Sequence, residues 1–234
     1  MDFRKDEAKI RNSKYYITAC SVIGQGKLEN QDSYDYYFDD NQIIIAVADG
    51  LGSATFSKEG SSKIVKLLIE IIKENTEKDL IPLKLLKKWK EALVGNLNLY
   101  DTTIKFIHIK DDVINYGGVG DGWIVINEKD NFVSLCASNT FSNQTDSILS
   151  FDLKNKFVFK ENKVSSIKNM LISTDGFSED MDKENAKLFM DDVYNQVEND
   201  MSAFEDDIKS TLENWPIKSN KDDKTVIFIH REAV

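Results

Sequence analysis

The sequence predicts an α+β fold, a β-sandwich with helices packed on its outside, and three observations predict it. Apolar runs of strand character come in groups separated by amphipathic helical stretches, instead of alternating one by one as in a βαβ sheet. Gln42–Ala48 is solidly apolar, as expected of a strand covered on both faces. The order strands, helix pair, strands, helix pair, strand leaves apolar faces that helices laid on the outer surfaces of a sandwich would bury.

Element by element, Tyr15–Ile23 is rich in aromatic and β-branched residues, and Ser33–Phe38 alternates aromatic with polar ones. After Gln42–Ala48 the period changes. From Lys58 to Asn75 the apolar positions Ile64, Val65, Leu67, Leu68, Ile71 and Ile72 recur at helical spacing. Pro82 opens a second helix, expected to run to about Leu99. Thr102–Ile109, Val113–Val119 and Trp123–Asn127 read as a meander, with turns at Lys110-Asp111-Asp112 and Gly120-Asp121-Gly122. Phe132–Ala137, Phe157–Phe159 and Met170–Ser173 read as further strands. From about Asp182 to Asn214 one or two helices are expected, with Leu188, Phe189, Val193 and Val197 on a shared face, and Thr225–Ile229 closes the chain as a strand. No repeat, low-complexity tract or Pro/Ser-rich linker marks a boundary, so the whole of 1–234 reads as one domain.

Composition narrows the function classes. The net charge is −10, from 30 basic and 40 acidic side chains. A surface of that sign repels nucleic acid phosphates. The two cysteines, Cys20 and Cys136, lie far apart in apolar stretches, which fits buried reduced thiols and excludes a zinc framework or a disulfide scaffold. Neither is followed by a basic, Gly-rich loop of the kind a thiol phosphatase needs. No signal pattern and no membrane-length apolar run is present, so the expected location is the cytoplasm, with no membrane partner. His108 and His230 sit in strand-like runs and read as structural, as do Trp89, Trp123 and Trp215. The lysines at 84, 87, 88 and 90 read as one solvated helix face.

The chemistry-bearing pattern is a set of carboxylates at strand ends. Three apolar runs end in Asp-Gly: IIIAVADG at Asp49-Gly50, YGGVGDG at Asp121-Gly122 and NMLISTDG at Asp175-Gly176. A fourth run, TVIFI, is preceded by Asp222-Asp223, and Asp32 stands just before another. Asp-Gly is also a common turn dipeptide, and Asp121, between two strands, reads equally well as a plain hairpin turn. Asp49 and Asp175 instead follow buried-looking strands and lead into a loop and helix. If the last strand runs antiparallel to theirs, its start at Asp222 meets their ends. Carboxylates brought together repel unless cations sit among them, and hard oxygen ligands without His or Cys select magnesium or manganese.

Six segments, GQGKLENQD, VADGLGSATFSKEGS, the pair Thr102-Thr103, GVGDGWIVI, LISTDGFSED and DDKTVIFI, together resemble the metal-dependent protein phosphatases (PPM, type 2C), in a bacterial branch. They run in the family's order over nearly the whole chain. The resemblance implies a central antiparallel β-sandwich flanked by helix pairs (αββα). It implies hydrolysis of phosphoserine and phosphothreonine in proteins by a water bridging two divalent ions, Mg2+ or Mn2+. In that reading Asp49 bridges both metals, Gly50 offers its carbonyl to one, and Asp175 and Asp222 complete the other's ligands. Asp32 supports the metal-bound waters, Asp121 holds a third, looser ion, and Lys27 meets the substrate phosphate.

The resemblance also implies a phosphoprotein substrate, with a serine/threonine kinase as functional counterpart. Three positions depart from the family pattern. Gln31-Asp32 stands where many members have Glu-Asp, Lys27 where many have arginine, and Leu51 where a histidine follows the Asp-Gly. These keep a second reading in view, a weakly active or inactive member acting as a regulatory binding module. A calcium-binding reading of DSYDYYFDDN lacks the central glycine and final Glu of an EF-hand loop. The polar segment 138–156 falls where the family places a variable flap, expected to gate or select substrate.

Overall fold

A computed structural model describes residues 1–128, 132–136, 145–182 and 185–233. Eleven strands form two antiparallel sheets. The first has the order β1 (Asp2–Ile10), β2 (Ser13–Val22), β11 (Lys224–Ala233), β10 (Ile167–Ser173), β7 (Trp123–Glu128), β8 (Phe132–Cys136). The second has the order β3 (Ser33–Phe38), β4 (Gln42–Ala48), β5 (Ile104–Lys110), β6 (Val113–Val119), β9 (Val158–Lys163). Helices α1 (Ser57–Lys73) and α2 (Ile81–Glu91) cover the five-stranded sheet. Short turns α3 (Leu153–Lys156) and α4 (Asp175–Ser178) follow, and α5 (Ala186–Asn199) and α6 (Met201–Glu213) cover the six-stranded sheet. The expected sandwich with a helix pair on each face is what the chain forms.

Strand alternation builds the layers. In β4, Ile43, Ile45 and Val47 face the opposing sheet, while Ile44, Ala46 and Ala48 face α1 and α2. In β10, Met170 and Ile172 face the sandwich interior and Leu171 faces the α5/α6 layer. A strand with apolar residues on both sides must lie between two covered faces, hence the solid apolar run. Trp89 is fully buried, its indole N–H bonded to the Gly60 carbonyl at 3.1 Å, which locks α2 onto α1. Lys84 and Lys88 both reach Glu74 in an exposed cluster, as a solvated helix face would.

Four features differ from expectation. Strand β1 lies outside the sequence expectations, because DFRKDEAKI is mostly charged; Ala8 and Ile10 are buried in the core and Phe3 packs against it, half-buried. It pairs with β2 along its whole length as an edge strand, and charge on an edge discourages pairing with other chains. The second helix ends at Glu91, short of Leu99, and a 3-10 turn covers Leu97–Tyr100. The expected meander is broken: β5 and β6 form a hairpin, but β7 pairs with β10 and β8 in the other sheet. Gly120-Asp121-Gly122 is therefore a crossing between sheets and not a hairpin turn. On α5, Leu188 is exposed, and the buried face is Ala186, Met190, Val193, Tyr194 and Val197. Of the segment 138–156, residues 138–144 lie outside the described residues. Among the described residues, no helix is long and apolar enough to cross a membrane.

Candidate metal centre

The cluster is made where the two sheets shed their strands at one end of the sandwich. Strand β4 delivers Asp49. Its N–H donates to Thr103 Oγ1 at 3.0 Å, and its carbonyl accepts from Thr103 N–H at 2.9 Å and Thr102 Oγ1 at 2.7 Å. These bonds hold the strand end beside the start of β5. A Cβ on Gly50 would lie 2.7 Å from the Ser57 Cβ, so only glycine lets α1 pack against this turn.

From the other sheet, β10 delivers Asp175 into the first turn of α4. Antiparallel pairing of Ser173 with Val226 brings the start of β11, with Asp222 and Asp223, beside it. A Cβ on Gly176 would fall 2.0 Å from the Asp223 carbonyl oxygen, so the two segments touch backbone to backbone. Asp121 arrives on the crossing between sheets, between Gly120 (φ +99°) and Gly122 (φ +93°), conformations that side-chain-bearing residues rarely adopt. Asp32, before β3, is 2 % exposed and accepts from Thr174 Oγ1 at 2.8 Å.

One carboxylate oxygen from each of Asp49, Asp121 and Asp175 lies within 4.8 Å of the others. The electrostatics follow from that crowding. Burial, then the charges of Asp32, Asp175 and Asp222, push the Asp49 carboxyl well above its ordinary range. Burial, then Asp121 and Asp222, push Asp175 up to about 7. Burial raises Asp32 to about 6 against the hydrogen bonds of Thr174 and Thr225. Asp121 Oδ1 is buried and accepts no hydrogen bond from the described residues, while its Oδ2 accepts from Thr145 Oγ1 at 2.5 Å. An orphaned buried carboxylate oxygen among repelling carboxylates, all hard oxygen donors, fits a divalent cation of the magnesium or manganese kind.

The other expected residues lie around this cluster. The Asp222 side chain is 42 % exposed and pairs with Lys27, whose Nζ also donates to Asp223 Oδ2 at 3.0 Å. Burial works against the Lys27 charge, but the hydrogen bonds to Asp222 and Asp223 outweigh it and raise its pKa. Gln31 turns its Nε2 to Ser57 Oγ at 2.7 Å, on α1. Leu51 is fixed by its N–H to the Asp101 carbonyl at 3.0 Å. The histidines stand elsewhere. His108 bonds Gln42 at the opposite end of β4 from Asp49, and burial lowers its pKa to about 4. His230 bonds Asn169 at 2.6 Å, near the opposite end of β10 from Asp175.

Two residues escaped the sequence reading. Asp223 is fully buried in its side chain and accepts from Gly24 N–H at 2.7 Å and Gln31 N–H at 2.9 Å, besides Lys27. Neighbouring residues entering a strand face opposite ways, so in the Asp222-Asp223 doublet one acid had to look inward. Lys105, 4 % exposed within IKFIHIK, donates to the Gly120 carbonyl at 2.8 Å and braces the Asp121 crossing. A lysine interrupting an apolar strand was the available signal.

Residues 23–215 match the family model described as Protein phosphatase 2C. A stretch of 77 residues, 33 % of this chain, is 34 % identical to a Mycoplasma genitalium protein whose name places it among the protein phosphatases, and it spans 29 % of that protein's length. Among solved structures, RsbX in complex with magnesium superposes with a TM-score of 0.63 at 20 % identity, over 99 % of this chain and 100 % of that one. The catalytic domain of the serine/threonine phosphatase PstP with two manganese ions superposes with a TM-score of 0.60 at 13 % identity, over 94 % and 99 %. At those identities the superpositions speak to the fold.

Proposed function

The chain belongs to the protein phosphatase 2C family, and we propose that it hydrolyses phosphoserine and phosphothreonine monoesters in proteins with the help of magnesium or manganese. The observation that carries this reading is the convergence of Asp49, Asp121 and Asp175 with a buried oxygen left unpaired among the described residues. In this reading Asp49, Gly50, Asp175 and Asp222 hold two ions, and Asp121 with Asp175 holds a third. Ions so held would supply positive charge to the phosphoryl oxygens and would make a coordinated water acidic enough to act near neutral pH.

The chain's own groups do the rest. Thr102 and Thr103 fix the Asp49 backbone, so its carboxylate is aimed before substrate arrives. Asp32, held by Thr174, is a buried acceptor beside Asp49 that can orient a water. Lys27 offers the cation for a substrate phosphate oxygen, as a point charge and not a fork. With Leu51 after the Asp-Gly and both histidines at far strand ends, protonation of the leaving oxygen falls to solvent within the site. A phosphorylated protein is the substrate class, and a serine/threonine kinase is the counterpart that would supply it.

The test is hydrolysis of p-nitrophenyl phosphate and of a phosphothreonine peptide with manganese, magnesium or chelator, beside Asp49→Asn and Asp175→Asn. The reading expects metal-dependent turnover of both substrates and its loss in either variant. Turnover insensitive to both substitutions would sink the assignment. Metal-dependent stabilisation without turnover would turn the protein into a binding module.

A further inference from the structure

Lys27 stands in the loop between β2 and β3, at the rim of the carboxylate cluster. The loop is pinned from beneath. Asp223 receives the N–H of Gly24 at 2.7 Å and of Gln31 at 2.9 Å, so the stem of Lys27 springs from a fixed base. Gly24 presses so closely on the Lys221–Asp222 backbone that a Cβ there would lie 2.1 Å from the Lys221 carbonyl oxygen. The Lys27 tip, by contrast, is shared between two carboxylates of different standing. Asp223 is fully buried and has two backbone donors besides the lysine. Asp222 is 42 % exposed and stands beside the cluster of acids, where its charge helps push Asp49 and Asp175 up.

An ammonium and a divalent cation cannot both sit against one carboxylate without repelling each other. We propose that Lys27 is the internal counter-cation of Asp222, displaced when a divalent cation binds there, and that this displacement frees its ammonium for a phosphate oxygen while Asp223 keeps the loop in place. This rests on the reading of Asp222 as a metal ligand. It gives the site an order, cation first and phosphate second. It also explains the use of lysine. A flexible stem carrying a point charge exchanges partners readily, whereas a guanidinium fork would grip a carboxylate bidentately.

The test uses the 234-residue chain, metal-free. Magnesium binding is followed by calorimetry in wild type, Lys27→Met, Lys58→Met and Asp49→Asn, and inorganic phosphate is then titrated into the magnesium-loaded proteins. Lys58 is the control for charge alone. It lies on the same rim but donates to the Asp32 carbonyl at 2.7 Å. Lys27→Met is expected to bind magnesium about tenfold tighter and phosphate about tenfold weaker, with Lys58→Met changing magnesium affinity far less. In 15N spectra, the Lys27 ammonium signal of the wild type should shift on adding magnesium before any phosphate is present. Magnesium affinity weakened by Asp49→Asn but unchanged in Lys27→Met overturns the inference alone, as does equal tightening in Lys58→Met or an unmoved ammonium signal. Magnesium affinity unchanged in Asp49→Asn overturns the metal-site reading and this inference together.

Discussion

Two groups of aspartates meet at one end of the sandwich, and they are treated in opposite ways. Asp223 is buried, yet each oxygen has donors: Gly24 N–H on one, Gln31 N–H and Lys27 Nζ on the other. Asp49, Asp121 and Asp175 are half-buried against one another, with the Asp121 Oδ1 unpaired among the described residues and the pKa values of Asp49 and Asp175 driven up. Burial costs both groups. In one, the chain supplies the compensating donors itself, and the carboxylate becomes a fastening. In the other, the chain supplies fewer donors, Thr145 Oγ1 to Asp121 Oδ2 among them, which is the arrangement the proposed cation site requires. The contrast separates a structural acid from a ligand more sharply than exposure or residue type does.

The largest effect expected from breaking this contrast is on catalysis. Asp49→Asn removes a charge from the uncompensated group and should lower kcat/KM by about 100-fold or more, since even outer partners of metal ligands are worth about 10–100-fold. The fold should persist, because Asn keeps the shape and the backbone bonds to Thr102 and Thr103 are untouched; circular dichroism checks this.

The mirror experiment is Asp223→Ala. It strands two backbone N–H groups and removes one partner of Lys27, and should destabilise the metal-free protein by about 3 kcal/mol in urea unfolding. A loss no larger than that of an ordinary surface substitution would show that the fastening role is wrong.

A smaller effect is a pH signature. The Asp175 carboxyl stands at about 7 in the folded chain against its ordinary 3.8. The folded state therefore binds the extra proton between those values. The strain on Asp175 is present in full above about 7 and relieved as pH falls towards 3.8. Metal-free Asp175→Asn should thus be more stable than wild type at pH 8, with the gap closing on acidification below 7. Comparing variant with wild type cancels His108, whose depressed pKa of about 4 works in the opposite direction, costing stability as pH falls below its ordinary 6.5. A gap independent of pH would contradict the crowding.

Much of this was legible in the sequence, for physical reasons. A strand covered on both faces must be apolar on both faces, so β4 announced itself in QIIIAVA. Helix α1 did so through its period. The meeting of Asp49 and Asp175 was legible because each follows a buried-looking strand and leads into a loop and helix, not a two-residue hairpin. The hidden parts are those decided by tertiary context. Strand β1 carries an edge strand's charges and looks like a solvated terminus. The route from β6 to β7 has the glycines and aspartate of a hairpin, and only the pairing of β7 with β10 shows that it changes sheets. That crossing is what carries Asp121 to the cluster. The split between Asp222 and Asp223 depends on which way each side chain leaves the backbone at a strand's first residues.

The central claim is that the uncompensated cluster is a cation site. Crystals grown with manganese, measured at the manganese absorption edge, test it most directly. The account predicts anomalous peaks bounded by the carboxylates of Asp49, Asp121 and Asp175. Manganese bound only elsewhere, with these three carboxylates left facing one another, would contradict it.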